Sequence, residues 1–128
     1  MLARRNVSTE DYDLIVIANV LHHIKPVERQ DQIGVIRKLV KDEGKVIIFE
    51  HNPVNPLTRK IVRESPLDKG VVLLPSAEPF SYLKTAGFHS IQLNYIVFFP
   101  KMFSALRWLE PLLSKFPLGA QYAIIGNV

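Results

Sequence analysis

Two adjacent histidines, His22 and His23, stand just beyond an uninterrupted apolar run in "DYDLIVIANVLHHIKP", Asp11 to Pro26, with Asn19 between the run and the pair. A second apolar run, Lys45–Glu50 "KVIIFE", ends in a similar way, in Glu50, His51 and Asn52. A neutral imidazole takes and returns a proton near pH 7, so either histidine of the first pair, His22 or His23, is a candidate general base. Such a histidine can equally donate to a backbone carbonyl and cap the loop. Glu50, His51 and Asn52 are candidates for contacting a substrate, although Asn52–Pro53 and Asn55–Pro56 also have the chemistry of turns and helix caps. A metal held by His22, His23 and His51 is not expected. Adjacent histidines on a loop rarely aim both rings at one ion, and no acidic residue stands at ligand spacing beside them.

These clusters need elements to carry them. Asp13–Ala18, "DLIVIA", is β-branched and without polar interruption, as in a strand buried on both faces of a parallel sheet. Pro26 suits the first position of a helix, where its missing N–H costs nothing. Ile33, Ile36, Leu39 and Val40 then mark one helical face, and Gly44 is a C-cap. With Lys45–Glu50 as the next strand, the segment is a βαβ unit with parallel strands and a right-handed crossover. In such a sheet ligands bind outside the carboxyl ends of the strands, which is where both polar clusters fall.

Downstream, Asn55 and Pro56 open a short helix to about Glu64, and residues 65–75 read as a loop. Ser76, Glu78 and Pro79 open another helix, with Phe80, Leu83 and Ala86 on one face and Gly87 at its end. Residues 91–99 read as a strand. Met102, Leu106, Leu109, Leu113 and Phe116 then recur at helical spacing, an amphipathic helix kinked at Pro111 whose stripe packs into the core. A membrane-surface helix with Trp108 at the boundary is its second possible use. "QYAIIGNV" closes the chain as a strand, and the alternation of elements makes the class α/β.

Composition narrows the rest. The chain has 128 residues, 48% of them apolar, enough for one folded domain over 1–128. Its net charge of +4 comes from scattered lysines and arginines without interleaved aromatic residues, so a nucleic-acid partner is not expected, whereas an anionic substrate is compatible. There is no cysteine, hence neither a disulfide framework nor a thiolate metal site. Residues 1–10 lack the apolar segment of a secretory signal. No apolar run approaches the ~20 residues needed to cross a bilayer, and the expected location is the cytoplasm.

In order and spacing, these segments resemble the C-terminal half of a class I S-adenosylmethionine-dependent methyltransferase, a Rossmann-like fold. "YDLIVIANVLHHI" is similar to that family's fourth strand and following turn. "VIRKLVKDEGKVIIFEHNP" is similar to its next helix and fifth strand, although "LVKDEGK" lacks the proline and second glycine usual there. "YLKTAGFHSIQL" is similar to the later helix–Ala-Gly-Phe–strand segment, and "PLGAQYAIIGN" to the last strand. Within the family, "EHNPVNPLTRK" and "PLGAQY" resemble enzymes acting on small molecules and cell-surface sugars. The resemblance implies a partial Rossmann-like sheet with helices on both faces. Its strands lie near 13–18, 45–50, 91–98 and 121–126, only the last of them antiparallel. It implies S-adenosylmethionine as cofactor, with Ala18, Asn19, Val20 and Leu21 lining its methionine end, and a small-molecule methyl acceptor near Glu50, His51 and Asn52.

The family's glycine-rich turn and ribose-binding acid are not found. The six glycines, at 34, 44, 70, 87, 119 and 126, make no Gly-x-Gly. The chain therefore reads as a truncated methyltransferase domain that needs further material for catalysis, or else as a non-catalytic remnant serving as an interaction or oligomerisation module. Binding of S-adenosylmethionine by this chain alone is expected to be weak. Strand 13–18 would form an unprotected sheet edge, which implies pairing with a missing N-terminal half or in a homodimer.

Overall fold

A computed structural model describes residues 12–99 and 101–128. Strand β1, Tyr12–Ala18, leads through a short turn into helix α1, Pro26–Leu39, and strand β2 follows at Val40–His51. Helix α2 covers Pro56–Glu64 and helix α3 Ala77–Thr85, then come strand β3, His89–Ile96, helix α4, Glu110–Leu113, and strand β4, Gln121–Asn127. β1 and β2 pair in parallel from Leu14 opposite Lys45 to Ala18 opposite Phe49. β4 inserts between β2 and β3 and runs antiparallel to both. The order is β1-β2-β4-β3, one mixed sheet in which β4 alone is reversed, as the resemblance implies.

Ile17, Val46, Ile48, Tyr122 and Ile124 of the sheet pack with Leu21, Ile33, Leu74, Leu83 and Phe88 in one buried cluster. The caps are local chemistry. Pro26 and Pro56 occupy first-turn positions of their helices, and the Asn55 side chain accepts from Thr58 N–H at the start of α2. Gly87 ends α3 at φ +93°, a conformation that favours glycine.

Several segments depart from the sequence reading. Gly44 is not a helix cap, because α1 ends at Leu39 and the chain is already extended at Val40. Gly44 is instead a site of close approach, where an added Cβ would lie 2.6 Å from Val40 Cγ1 and 2.8 Å from the Lys41 carbonyl oxygen. Residues 65–75 include a 3₁₀ turn at Pro66–Asp68. α3 buries Pro79 and Leu83 and leaves Phe80 at the surface. The stripe from Met102 to Phe116 is not core. Lys101–Leu109 is 3₁₀ with a break at Phe103, α4 is only four residues long, and Met102 and Trp108 are 84% and 71% exposed. A three-residue turn cannot keep side chains spaced at four on one face. β1 is not buried on both faces either. Ile17 enters the core, whereas Leu14 and Val16 are open on the sheet's outer edge. Among the described residues, no helix is long and apolar enough to cross a membrane.

The largest fully buried side chain is Arg29, on what reads in sequence as a polar helix face. Its Nε donates to the carbonyls of Leu21, at 3.1 Å, and Ile24, at 3.0 Å. One terminal nitrogen donates to Val72 O at 2.7 Å, and the other lies 3.4 Å from Glu78 Oε2. One guanidinium thus ties the turn after β1 to the segment before α3. Replacing Arg29 with alanine leaves those carbonyls unanswered, an expected loss of roughly 3 kcal/mol or more. Arg29→Lys should recover little, since one ammonium cannot span the same fork. Urea unfolding at unchanged slope reads both.

Candidate active site at the carboxyl ends of β1 and β2

β1 finishes at Ala18, and Asn19 turns the chain with φ +54°, a left-handed conformation that asparagine tolerates better than most residues. Its N–H still donates to Phe49 O at 2.9 Å, so the turn begins flush with the end of β2. Leu21–His23 then form one turn of 3₁₀ helix. From β2, Glu50 points under that turn. It has no exposed surface, and its carboxylate accepts from Leu21 N–H at 2.7 Å and from His22 Nδ1 at 2.6 Å.

Paired this way, His22 is only 2% exposed, whereas the His23 side chain is about half exposed, at 47%. The rings of His22 and His23 lie 4.2 Å apart, and that of His51 lies 5.1 Å from His22. Asp68, from the 3₁₀ turn after α2, closes the group. Its Oδ1 is 3.5 Å from His22 Nε2 and 3.6 Å from His23 Nε2. Burial, then the neighbouring His22, holds His51 below the ordinary imidazole value, while Glu50 and Asp68 pull it the other way. A hydrogen bond from Ser65 lowers Asp68, the histidines adding to it against a desolvation that raises it.

The expected residues separate into groups. His22, His23, His51 and Glu50 come together. Ala18 and Val20 lie open beside Asn19, but Leu21 is buried in the core and its side chain cannot line a cofactor surface. Glu50 and Asn52, expected near a substrate, are buried with their side chains engaged within the fold. Both oxygens of Glu50 are engaged beneath the turn. The Asn52 amide donates to Pro117 O and Gly119 O and accepts from Val54 N–H, pinning the approach to β4. Both histidine rings of the pair do converge on one carboxylate, contrary to the expectation for neighbours on a loop. Asp68 was not anticipated, since only the fold brings it to the histidines.

Asn19 Oδ1 is buried and has no hydrogen-bond partner among the described residues. A buried acceptor left alone costs about 1–3 kcal/mol, so this oxygen is suited to a donor from a ligand. The ammonium at the methionine end of S-adenosylmethionine is such a donor. The residues present fit that end of the cofactor and offer no glycine turn for the remainder.

The shifts have a definite sign. His51 is lowered in the fold from 6.5, so its contribution to stability is complete above that unfolded value and is lost as pH falls through the folded one. Asp68, also lowered, contributes above the usual carboxylate range and loses that contribution in more acid solution. Stability in urea should therefore decline between about pH 7 and pH 5, and the decline should be shallower in His51→Gln. Equal slopes in the two proteins would remove His51 from this account.

No protein-family model matches the sequence, and no curated protein does. Solved structures do resemble it. A SAM-dependent methyltransferase from Archaeoglobus fulgidus superposes with a TM-score of 0.76 at 14% identity, over 95% of this chain and 62% of its own. A possible histamine N-methyltransferase from Thermotoga maritima follows at 0.70 and 15%, covering 97% of this chain and 59% of its own. An O-methyltransferase family protein from Burkholderia thailandensis gives 0.67 and 17%, over 98% and 33%. The chain thus spans less than two thirds of each of these structures. Nearly all of it is nonetheless accounted for, and its fold is that of part of a class I S-adenosylmethionine-dependent methyltransferase domain.

Proposed function

We propose that the chain takes part in S-adenosylmethionine-dependent methyl transfer to a small-molecule or glycan- or lipid-linked acceptor. The observation that carries this reading is the unanswered Asn19 Oδ1, at the carboxyl end of β1 in a methyltransferase fold. The cofactor supplies an electrophilic methyl group on a sulfonium. Asn19 Oδ1 would accept from its ammonium, with Ala18 and Val20 alongside. His23, the open member of the pair, would take the proton released by the attacking hydroxyl or amine. Base help of this kind is modest beside alignment of the reacting atoms. Arg59, Arg63 and Lys69 border a cleft of about 430 Å³ next to Asp68, which favours an acceptor carrying negative charge.

A second reading rests on a separate observation. Leu14, Val16 and Val20 of the β1 edge and Val35 of α1 are all open to solvent and line an apolar groove of about 520 Å³. Among the described residues β1 pairs with β2 alone, and no described strand pairs with its other side. A second copy of this chain, or a segment carrying the glycine turn, would cover this edge.

Two outcomes are expected. Calorimetry with S-adenosylmethionine should show binding well weaker than micromolar, each missing hydrogen bond of about 1 kcal/mol costing several-fold in affinity. Asn19→Gly, which keeps the backbone conformation and removes the oxygen, should abolish what remains. Binding indifferent to Asn19→Gly would refute the role given to Asn19, and micromolar binding would refute the reading that the cofactor site of this chain is incomplete. Sedimentation at tens of micromolar, roughly where weak edges still associate, should show a dimer that Val16→Lys dissociates. Ile15 and Ile17 are unsuitable for that test because they pack against or within the core. A monomeric wild-type chain would rule out self-pairing.

A further inference from the structure

We propose that His22, His23 and Asp68 form a binding site for one divalent cation of the zinc class. The three ligand atoms lie within 4.8 Å of one another, and Asp68 Oδ1 stands 3.5 Å and 3.6 Å from the two imidazole Nε2 atoms. In a tetrahedral site with bonds of ~2.0–2.2 Å, neighbouring ligand atoms are about 3.4 Å apart. The two Asp68 separations are close to that spacing and longer than a hydrogen bond of good geometry.

The surroundings are built as a metal site requires. Glu50 holds His22 through Nδ1 at 2.6 Å and is itself held by Leu21 N–H at 2.7 Å. A ring that donates from Nδ1 to a carboxylate presents its lone pair at Nε2, the carboxylate–histidine–metal arrangement that orients a ligand and raises its basicity. In His22 that lone pair faces a carboxylate oxygen. A metal ion seated between these two acceptors would answer both. Imidazole with carboxylate suits zinc, cobalt or iron(II) better than calcium or magnesium.

Three protein ligands leave a position open, as in catalytic rather than structural zinc sites. His22 and His23 both line a cleft of about 260 Å³ with Lys25 and Lys69 on its rim, and the half-exposed His23 provides the way in. Under the methyl-transfer reading, an ion here would occupy His23 Nε2 and would itself make a bound acceptor hydroxyl more acidic. That extension rests on the reading above; the metal site does not, and its test uses no S-adenosylmethionine.

The full chain, stripped with a chelator, should bind one equivalent of Co²⁺ with the visible absorption of a low-coordinate site, and one of Zn²⁺ by calorimetry. The expected affinity is micromolar or tighter. Zn²⁺ should also raise the unfolding temperature. His23→Ala, on a half-exposed side chain, and Asp68→Asn, which keeps the side-chain shape, should keep the fold and weaken binding at least tenfold. Glu50→Gln should weaken it about 10–100-fold through its hold on His22. Absence of saturable binding of either ion below about 1 mM would overturn the proposal. So would wild-type affinity in both His23→Ala and Asp68→Asn.

Discussion

A carboxylate with no exposed surface has to be answered from within the protein, and the arrangement of this sheet end follows from how Glu50 is answered. The Leu21 N–H and the His22 ring both converge on it, so the turn after β1 is fastened to the last residues of β2. Leu21 is held from its other side as well, where its carbonyl accepts from Arg29. A buried anion and a buried cation thus grip the two backbone ends of one residue. Removing Glu50 would leave the Leu21 N–H unanswered, and removing Arg29 would leave the Leu21 and Val72 carbonyls unanswered, so each is costlier to lose than its net contribution suggests.

This anchoring also decides what each histidine can do. His22 and His23 are chemically identical and adjacent, yet one lies over Glu50 in the core and the other opens to solvent. The difference comes from one turn of 3₁₀ helix, which sends successive side chains about a third of a revolution apart. His22 is therefore an oriented ring with one nitrogen committed, and His23 a half-exposed ring whose Nε2 faces Asp68. Asp68 unites them from a segment that Arg29 helps to position through Val72. Packing and site chemistry here are the same set of bonds.

What was legible in the sequence was what short-range chemistry dictates. The apolar runs, the proline-started helices and the Asn55 cap each depend on a few neighbouring residues, and all appear where the pattern places them. Arg29 was not legible, because "VERQDQ" has the composition of a solvated helix face and its burial depends on carbonyls of Leu21, Ile24 and Val72. Asp68 was hidden for the same reason, its histidine partners being distant in sequence. The stripe at Met102–Phe116 failed differently. Apolar spacing signals a face only once the period is known, and a 3₁₀ path with a break at Phe103 disperses it. Gly44 misled because a glycine after a helical pattern usually caps it, whereas here backbone and the Val40 side chain press against the position.

The unsatisfied features are not scattered. Within the Glu50–His22–Arg29 network, the committed groups are matched by named partners. By contrast, among the described residues Asn19 Oδ1 has no donor and the Leu14–Val16 edge no pairing strand, and the two belong to one continuous piece of β1 and its turn. In a parallel sheet, the strand that pairs with an edge and the ligand seated at that edge's carboxyl end occupy contiguous space. A pairing strand whose following turn supplies backbone donors would therefore answer both deficits together. An unrelated apolar cover would answer only the groove and leave the Asn19 oxygen as it is. The state of that one side chain thus distinguishes a completed methyltransferase site from mere association.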